Sequence, residues 1–159
     1  QQTWLWLISN MALEYVVYYR GNLAAGFDYI YAKQTDQHAF YLRVPAEMKT
    51  FADITDATFD FSRTNADEVQ ADDKRRPFAS MWQDVSFQWP NIERRLMEIL
   101  PTWQPEYRGV VTDKTDEWGV RIKFADQPDE LRFVGYNDFP ADFELFEKWI
   151  KSYEGGRLR

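Results

Sequence analysis

The sequence predicts an α+β domain: an antiparallel β-sheet of meander hairpins with two or three helices packed on one face, the last helix C-terminal. Two sets of observations carry this expectation. Segments Leu13–Arg20, Phe27–Lys33, Phe40–Val44, Glu106–Thr112, Glu117–Phe124 and Glu130–Tyr136 alternate with the period of two that a half-buried strand requires. Stripes over Phe78–Val85, Ile92–Leu100 and Phe139–Tyr153 instead space their apolar residues by three and four, the period of an amphipathic helix. With 159 residues the chain is long enough for one core, since a domain of this size buries roughly 68–70% of its unfolded surface. One domain over residues 1–159 is therefore expected.

Taken in order, residues 1–10 read as either a non-native extension or an edge strand, because Gln1 stands first and Met11 opens the first alternating run. The apolar stretch Thr3–Ser9 is too short to span a bilayer and lacks a basic leader. Leu13, Tyr15, Val17 and Tyr19 alternate against Glu14, Val16, Tyr18 and Arg20. The segment Gly21–Gly26 then turns the chain into a second strand, with Phe27, Tyr29 and Tyr31 on one face. A third, shorter strand stops near Pro45. The next stretch is ambiguous, with a short helix around Ala46–Ala52 and a strand around Thr58–Phe61 as its readings. Residues 62–76 are polar and low in aromatics, as an exposed acidic connection would be.

After Pro77, Phe78, Met81, Trp82 and Val85 have helical spacing. Asn91 can cap a following helix whose stripe is Ile92, Leu96, Ile99 and Leu100, with Pro101 as its stop. Three strands follow, joined as hairpins through the polar loops Asp113–Asp116 and Ala125–Asp129, and one face of this meander is expected to be wet. The middle strand points Trp118, Val120, Ile122 and Phe124 inward. Gly135 and Asn137 end the third, since both tolerate unusual backbone geometry. Asp138 then caps the last helix, with Pro140 in its first turn and Phe139, Phe143, Phe146, Ile150 and Tyr153 as its buried stripe.

The run Trp103, Tyr107, Asp113, Trp118-Gly119-Val120-Arg121-Ile122, Gly135-Tyr136-Asn137-Asp138-Phe139-Pro140 and Phe143 resembles the C-terminal part of a group of small uncharacterised bacterial proteins. The shared pattern is W…D…W-x-V-x-I…G-x-N-x-x-P-x-x-F over roughly the last 60 residues. The loop Asp113–Glu117 departs from it in lacking an Asp-Gly turn. The resemblance implies no activity.

Composition excludes several chemistries. There is no cysteine, so disulfides, thiolate metal sites and cysteine nucleophiles are absent. No serine lies in a nucleophile elbow or an S-x-x-K pair, and neither a phosphate loop nor a dinucleotide fingerprint is present. His38, the only histidine, lies near Asp36 in a turn, where histidines are ordinarily solvated. The segment Asp113–Phe124 fails the calcium-loop template, with Trp118 where glycine is needed and Phe124 where glutamate is needed. Asp67, Glu68, Asp72 and Asp73 could gather on a cation, although a solvated charge run explains them equally. No catalytic, cofactor or metal residue is assigned, and a carboxylate-based hydrolase ranks behind binding.

What stands out is charge and aromaticity. The net charge is −7 and aromatic residues make up 18% of the chain, against a charge pattern that nucleic acid or an anionic membrane would reward. Asp53, Asp56, Asp60, Asp67, Glu68, Asp72 and Asp73 crowd one window with a single base, Arg63. The reading is a cytoplasmic, non-enzymatic protein-interaction module. The acids would steer a basic protein partner, with Trp82, Trp89 and Trp103 as anchors. An inhibitor or immunity-type protein is one form of this. The alternative is a small-ligand or carbohydrate-binding domain that exposes a row such as Tyr18, Tyr29, Tyr31 and Tyr136. Self-association stays open.

Overall fold

A computed structural model describes residues 12–35, 38–46 and 83–154. The first three strands, β1 (Leu13–Asn22), β2 (Gly26–Thr35) and β3 (His38–Val44), form successive antiparallel hairpins, and β4 (Gln83–Asp84) pairs with the outer edge of β3. Helix α1 (Trp89–Ile99) runs into a 3-10 turn (Leu100–Thr102) and a short strand β5 (Glu106–Arg108). Strands β6 (Glu117–Phe124) and β7 (Leu131–Tyr136) form the last hairpin, and helix α2 (Phe143–Lys151) closes the described fold. The sheet order is β4-β3-β2-β1-β6-β7-β5, so the antiparallel pairing of β1 with β6 fuses the N-terminal and C-terminal strands into one seven-stranded sheet. The architecture is α+β, as the sequence predicts.

The core lies between one sheet face and the two helices. Leu13, Val16, Tyr18, Ile30, Ala32, Ala39, Tyr41, Val120, Ile122 and Phe133 meet Ile92, Leu96 and Leu100 from α1 and its extension and Phe143, Phe146 and Ile150 from α2. Trp118, Val120, Ile122 and Phe124 are all buried, as the alternation of β6 predicts, while Arg121 and Lys123 on its other face are only half-buried. The alternation of β1 is broken by a register shift between Leu13 and Tyr15, which puts Leu13 on the helix face with Val16 and Tyr18. On the opposite face Tyr19 of β1 pairs across the strands with Tyr29 of β2, which stacks on Tyr31 of its own strand at 5.7 Å. That face is buried too at Val17, Tyr31, Leu42 and Val44.

Several elements differ from the expectation. The helix expected over Phe78–Val85 does not extend through its end: Gln83–Asp84 is extended, because the edge of β3 needs partners and takes them there, with the Val85 amide bonding the Ala39 carbonyl at 2.8 Å. Met81, Trp82 and the candidate elements of residues 47–61 lie outside the described residues, as do residues 1–10 and 62–76. Helix α1 starts three residues earlier than expected. Gln88 is its cap position, and Asn91 lies inside the first turn, where its Oδ1 accepts from Arg94 Nη2 at 2.9 Å.

The strand expected over Glu106–Thr112 ends at Arg108 and runs parallel to β7 at the sheet edge. Residues 109–116 therefore pass over the end of β7 to reach β6, and are no hairpin loop. Helix α2 begins at Phe143, with Asp142 and not Asp138 at its cap position. Asp142 gives its Oδ1 to the indole N–H of Trp103 at 2.8 Å, a tertiary demand that overrides local capping.

Candidate functional site

Trp103, Tyr107, Trp118, Gly135, Asn137 and Phe143 gather where β6, β7 and α2 meet, and they brace the fold. Trp118 donates its indole N–H to the Asp138 carbonyl at 2.9 Å and packs on Phe143 with ring centres 4.8 Å apart. Gly135 lies under that indole: a Cβ there would come within 2.0 Å of Trp118 Nε1. Trp103 meets Trp118 edge-on at 5.4 Å and Phe146 at 5.0 Å. Tyr107 accepts the Gln104 amide at 2.8 Å on its hydroxyl.

Asn137 is the hinge of this corner. It has φ of 55°, the left-handed conformation that asparagine tolerates better than most residues. Its amide donates to the Asp116 carbonyl at 2.9 Å, its Oδ1 accepts the Asp116 amide at 2.8 Å, and its Nδ2 donates to the Val110 carbonyl at 2.7 Å. One side chain thus ties both ends of the loop 109–116 to the corner. Asp116 is fixed a second time through Arg20, whose Nη2 reaches Asp116 Oδ2 at 2.7 Å while Nη1 reaches Glu147 Oε1 at 2.9 Å. The guanidinium lies over the rings of Phe139 and Phe143. Tyr18 donates its hydroxyl to Glu147. Burial pushes the Tyr18 hydroxyl strongly up, reinforced by that carboxylate. For Glu147 burial acts upward, but the hydrogen bonds from Tyr18 and Arg20 and the charge of Arg20 outweigh it and hold the carboxyl below its ordinary value.

The braced loop presents apolar side chains to solvent. Val110 is 80% and Val111 53% exposed, and Leu23, in the turn between β1 and β2, is 83% exposed. All three lie at one end of the sheet, because Gly21 of β1 pairs with Glu117 of β6 and Gly109 bonds the Tyr136 carbonyl at the end of β7. The loop 109–116 and the corner 137–142 carry Asp113, Asp116, Asp138 and Asp142 with Lys114, of which Asp116 is paired with Arg20 and Asp142 accepts from Trp103. The result is an apolar tip with an acidic rim.

The residues singled out from sequence fall elsewhere. Asp53, Asp56, Asp60, Asp67, Glu68, Asp72, Asp73 and Trp82 lie outside the described residues. Trp89 and Trp103 are corrected: both are buried, 2% and 6% exposed, and belong to the core, so neither presents a ring to a partner. Large aromatic area that would anchor an interface is worth as much inside the domain, and here the helices cover it. The proposed tyrosine row is broken as well, since Tyr18 and Tyr31 are buried. His38 is exposed, with Nδ1 3.8 Å from Asp84 Oδ2, and Ser86 donates its hydroxyl to Asp84 Oδ1 at 2.5 Å. In a catalytic triad the serine bonds the histidine; here it bonds the carboxylate. Asp116 and Glu147 converge on Arg20, and the bonds that hold the Glu147 carboxyl below its ordinary value deprive it of the proton a general acid must give. Among the described residues no three acidic or histidine side chains gather as a metal site, and no helix is long and apolar enough to cross a membrane.

Compared with known proteins, the chain matches no family model, no curated protein and no solved structure. Sequence reasoning missed the tip because Val110 and Val111 read as strand residues. No local signal marked it, since the bond that holds the Val110 carbonyl off the sheet comes from Asn137, 27 residues along the chain.

Proposed function

We propose that the protein is a binding module that docks a partner protein through the apolar tip. The observation that carries this reading is the exposure of Val110 and Val111, on a loop tied at both ends by Asn137, with Leu23 of the β1–β2 turn exposed at the same end of the sheet. An apolar centre within a polar rim is the anatomy of a protein interface, and a pre-ordered loop loses little entropy on docking. The acidic rim favours a partner with basic groups around an apolar contact, chiefly through association rate. An inhibitor that covers a cationic site is one form such a module takes.

The test compares the tagged protein with a Val110→Ser/Val111→Ser variant in affinity capture from the source lysate, at low and high salt, with mass spectrometry. The expected result is a stoichiometric basic protein that the parent retains at low salt, releases as salt rises, and that the variant does not retain. Identical retention by both proteins, or no specific retention by the parent, would sink the reading.

A further inference from the structure

A second site lies at the opposite end of β7, and it suits a small molecule. Strand β5 begins opposite Val134, so it covers only the last three residues of β7. Before it the chain leaves the strand edge through Pro105, Gln104 and Trp103 towards Pro101. The gap is a cleft of about 350 Å³ between Pro101, Trp103, Gln104 and Pro105 on one side and Leu131, Arg132 and Phe133 on the other. That volume is at the lower end of the roughly 300–1,000 Å³ typical of small-ligand pockets.

The chemistry of the walls is uneven. Leu131 and the two prolines supply apolar surface, to which Trp103 and Phe133 add only the 6% and 5% they leave exposed, and neither proline has an N–H to offer. The polar groups come from Gln104 at the mouth and from Arg132. The Val134 amide bonds the Pro105 carbonyl at 3.0 Å, so Val134 directs its backbone groups away from β6. The register of β7 is uniform, and by the two-residue alternation the amide and carbonyl of Arg132 point the same way, into the gap. Among the described residues none bonds them. The Arg132 side chain turns Nε and Nη2 to Glu130 Oε1, at 3.1 and 3.0 Å, which leaves Nη1 for another acceptor. A backbone donor and a guanidinium beside a mainly apolar cleft suit an apolar ligand with an anionic group.

We propose that this cleft binds a small planar apolar molecule carrying a carboxylate or sulfonate. The flat body lies between Pro101, Pro105 and Leu131, over the small exposed parts of Trp103 and Phe133, and the anionic oxygens accept from the Arg132 amide and Nη1. The site is independent of the protein-docking tip.

The test uses 1-anilinonaphthalene-8-sulfonate and its uncharged analogue N-phenyl-1-naphthylamine on the full chain. Fluorescence titration is expected to give saturable one-to-one sulfonate binding, and ¹⁵N spectra a shift of the Arg132 amide. Gln104→Trp places a bulky ring at the exposed mouth and is expected to abolish binding. The Gln104 amide bond to Tyr107 does not depend on the side chain, so the fold is retained, as a thermal melt would verify. Arg132→Ala is expected to weaken the sulfonate by about tenfold, the worth of one charge-assisted hydrogen bond, and to leave the uncharged analogue unchanged. Absence of saturable binding, or an unchanged Kd in Gln104→Trp, would overturn the site. Equal weakening of both probes by Arg132→Ala would overturn the anionic head group.

Discussion

Replacing Asn137 by glycine and by alanine separates the two things this residue does. Glycine keeps the φ of 55° available but removes the side-chain bonds to Val110 and Asp116; alanine removes the bonds and also resists the left-handed conformation. Two partly solvated hydrogen bonds are worth about 1–2 kcal/mol together. A left-handed alanine adds about 1 kcal/mol. With a urea m-value of about 2 kcal/mol/M, the unfolding midpoint should fall by about 0.5–1 M for Asn137→Gly and by about 1–1.5 M for Asn137→Ala. Hydrogen exchange gives the local readout: the Asp116 amide loses its acceptor in both variants and should exchange about five- to thirtyfold faster, whereas amides in the middle of β6 change only with global stability. If alanine costs no more than glycine, or if both lie within about 0.5 kcal/mol of the parent, Asn137 is not the clamp described above.

Gly135→Ala would drive a Cβ to 2.0 Å from the Trp118 indole and 2.6 Å from the Asp138 carbonyl; overpacking plus a lost buried hydrogen bond predict a loss of about 3 kcal/mol in urea unfolding. Gly119→Ala meets only the outer ring of Tyr19, which can swing aside, so it should cost clearly less; equal costs would contradict this packing. Phe143→Ala, at the contact of Tyr18, Trp103, Trp118 and Phe139, should destabilise by about 3–5 kcal/mol, measured the same way. Glu147 has a folded pKa below its unfolded one, so the stability it contributes is present above the ordinary glutamate range and is lost as pH falls through the depressed folded value. Stability measured from pH 7 down to pH 2 should therefore fall less steeply in acid for Glu147→Gln than for the parent, and parallel profiles would refute the linkage.

The local elements were legible from the chain itself because their signals are local. The alternation of Trp118, Val120, Ile122 and Phe124 places β6 at Glu117–Phe124 without change, and the stripe Phe143, Phe146 and Ile150 is the buried face of α2. Gly135 and Asn137 were correctly read as positions of special backbone demand, since few other residues fit beneath an indole or at φ of 55°. Pairing was not legible. No local pattern states that β1 lies beside β6, that β5 runs parallel on β7, or that Gln83–Asp84 serves as an edge strand, because pairing partners are chosen by burial across the whole sheet.

The same division governs the sites. An aromatic side chain has the same letter whether it anchors a partner or fills a core, and only packing against α1 and α2 decided that Trp89 and Trp103 are core. Val110 and Val111 have strong strand propensity, yet Asn137 draws off the Val110 carbonyl and the loop peels away from the sheet. The cleft beside Arg132 exists only because β5 is shorter than β7. Propensity, periodicity and turn chemistry act over a few residues and were decided by the sequence alone; exposure, pairing and convergence depend on residues far apart in the chain, and only the tertiary structure decided them.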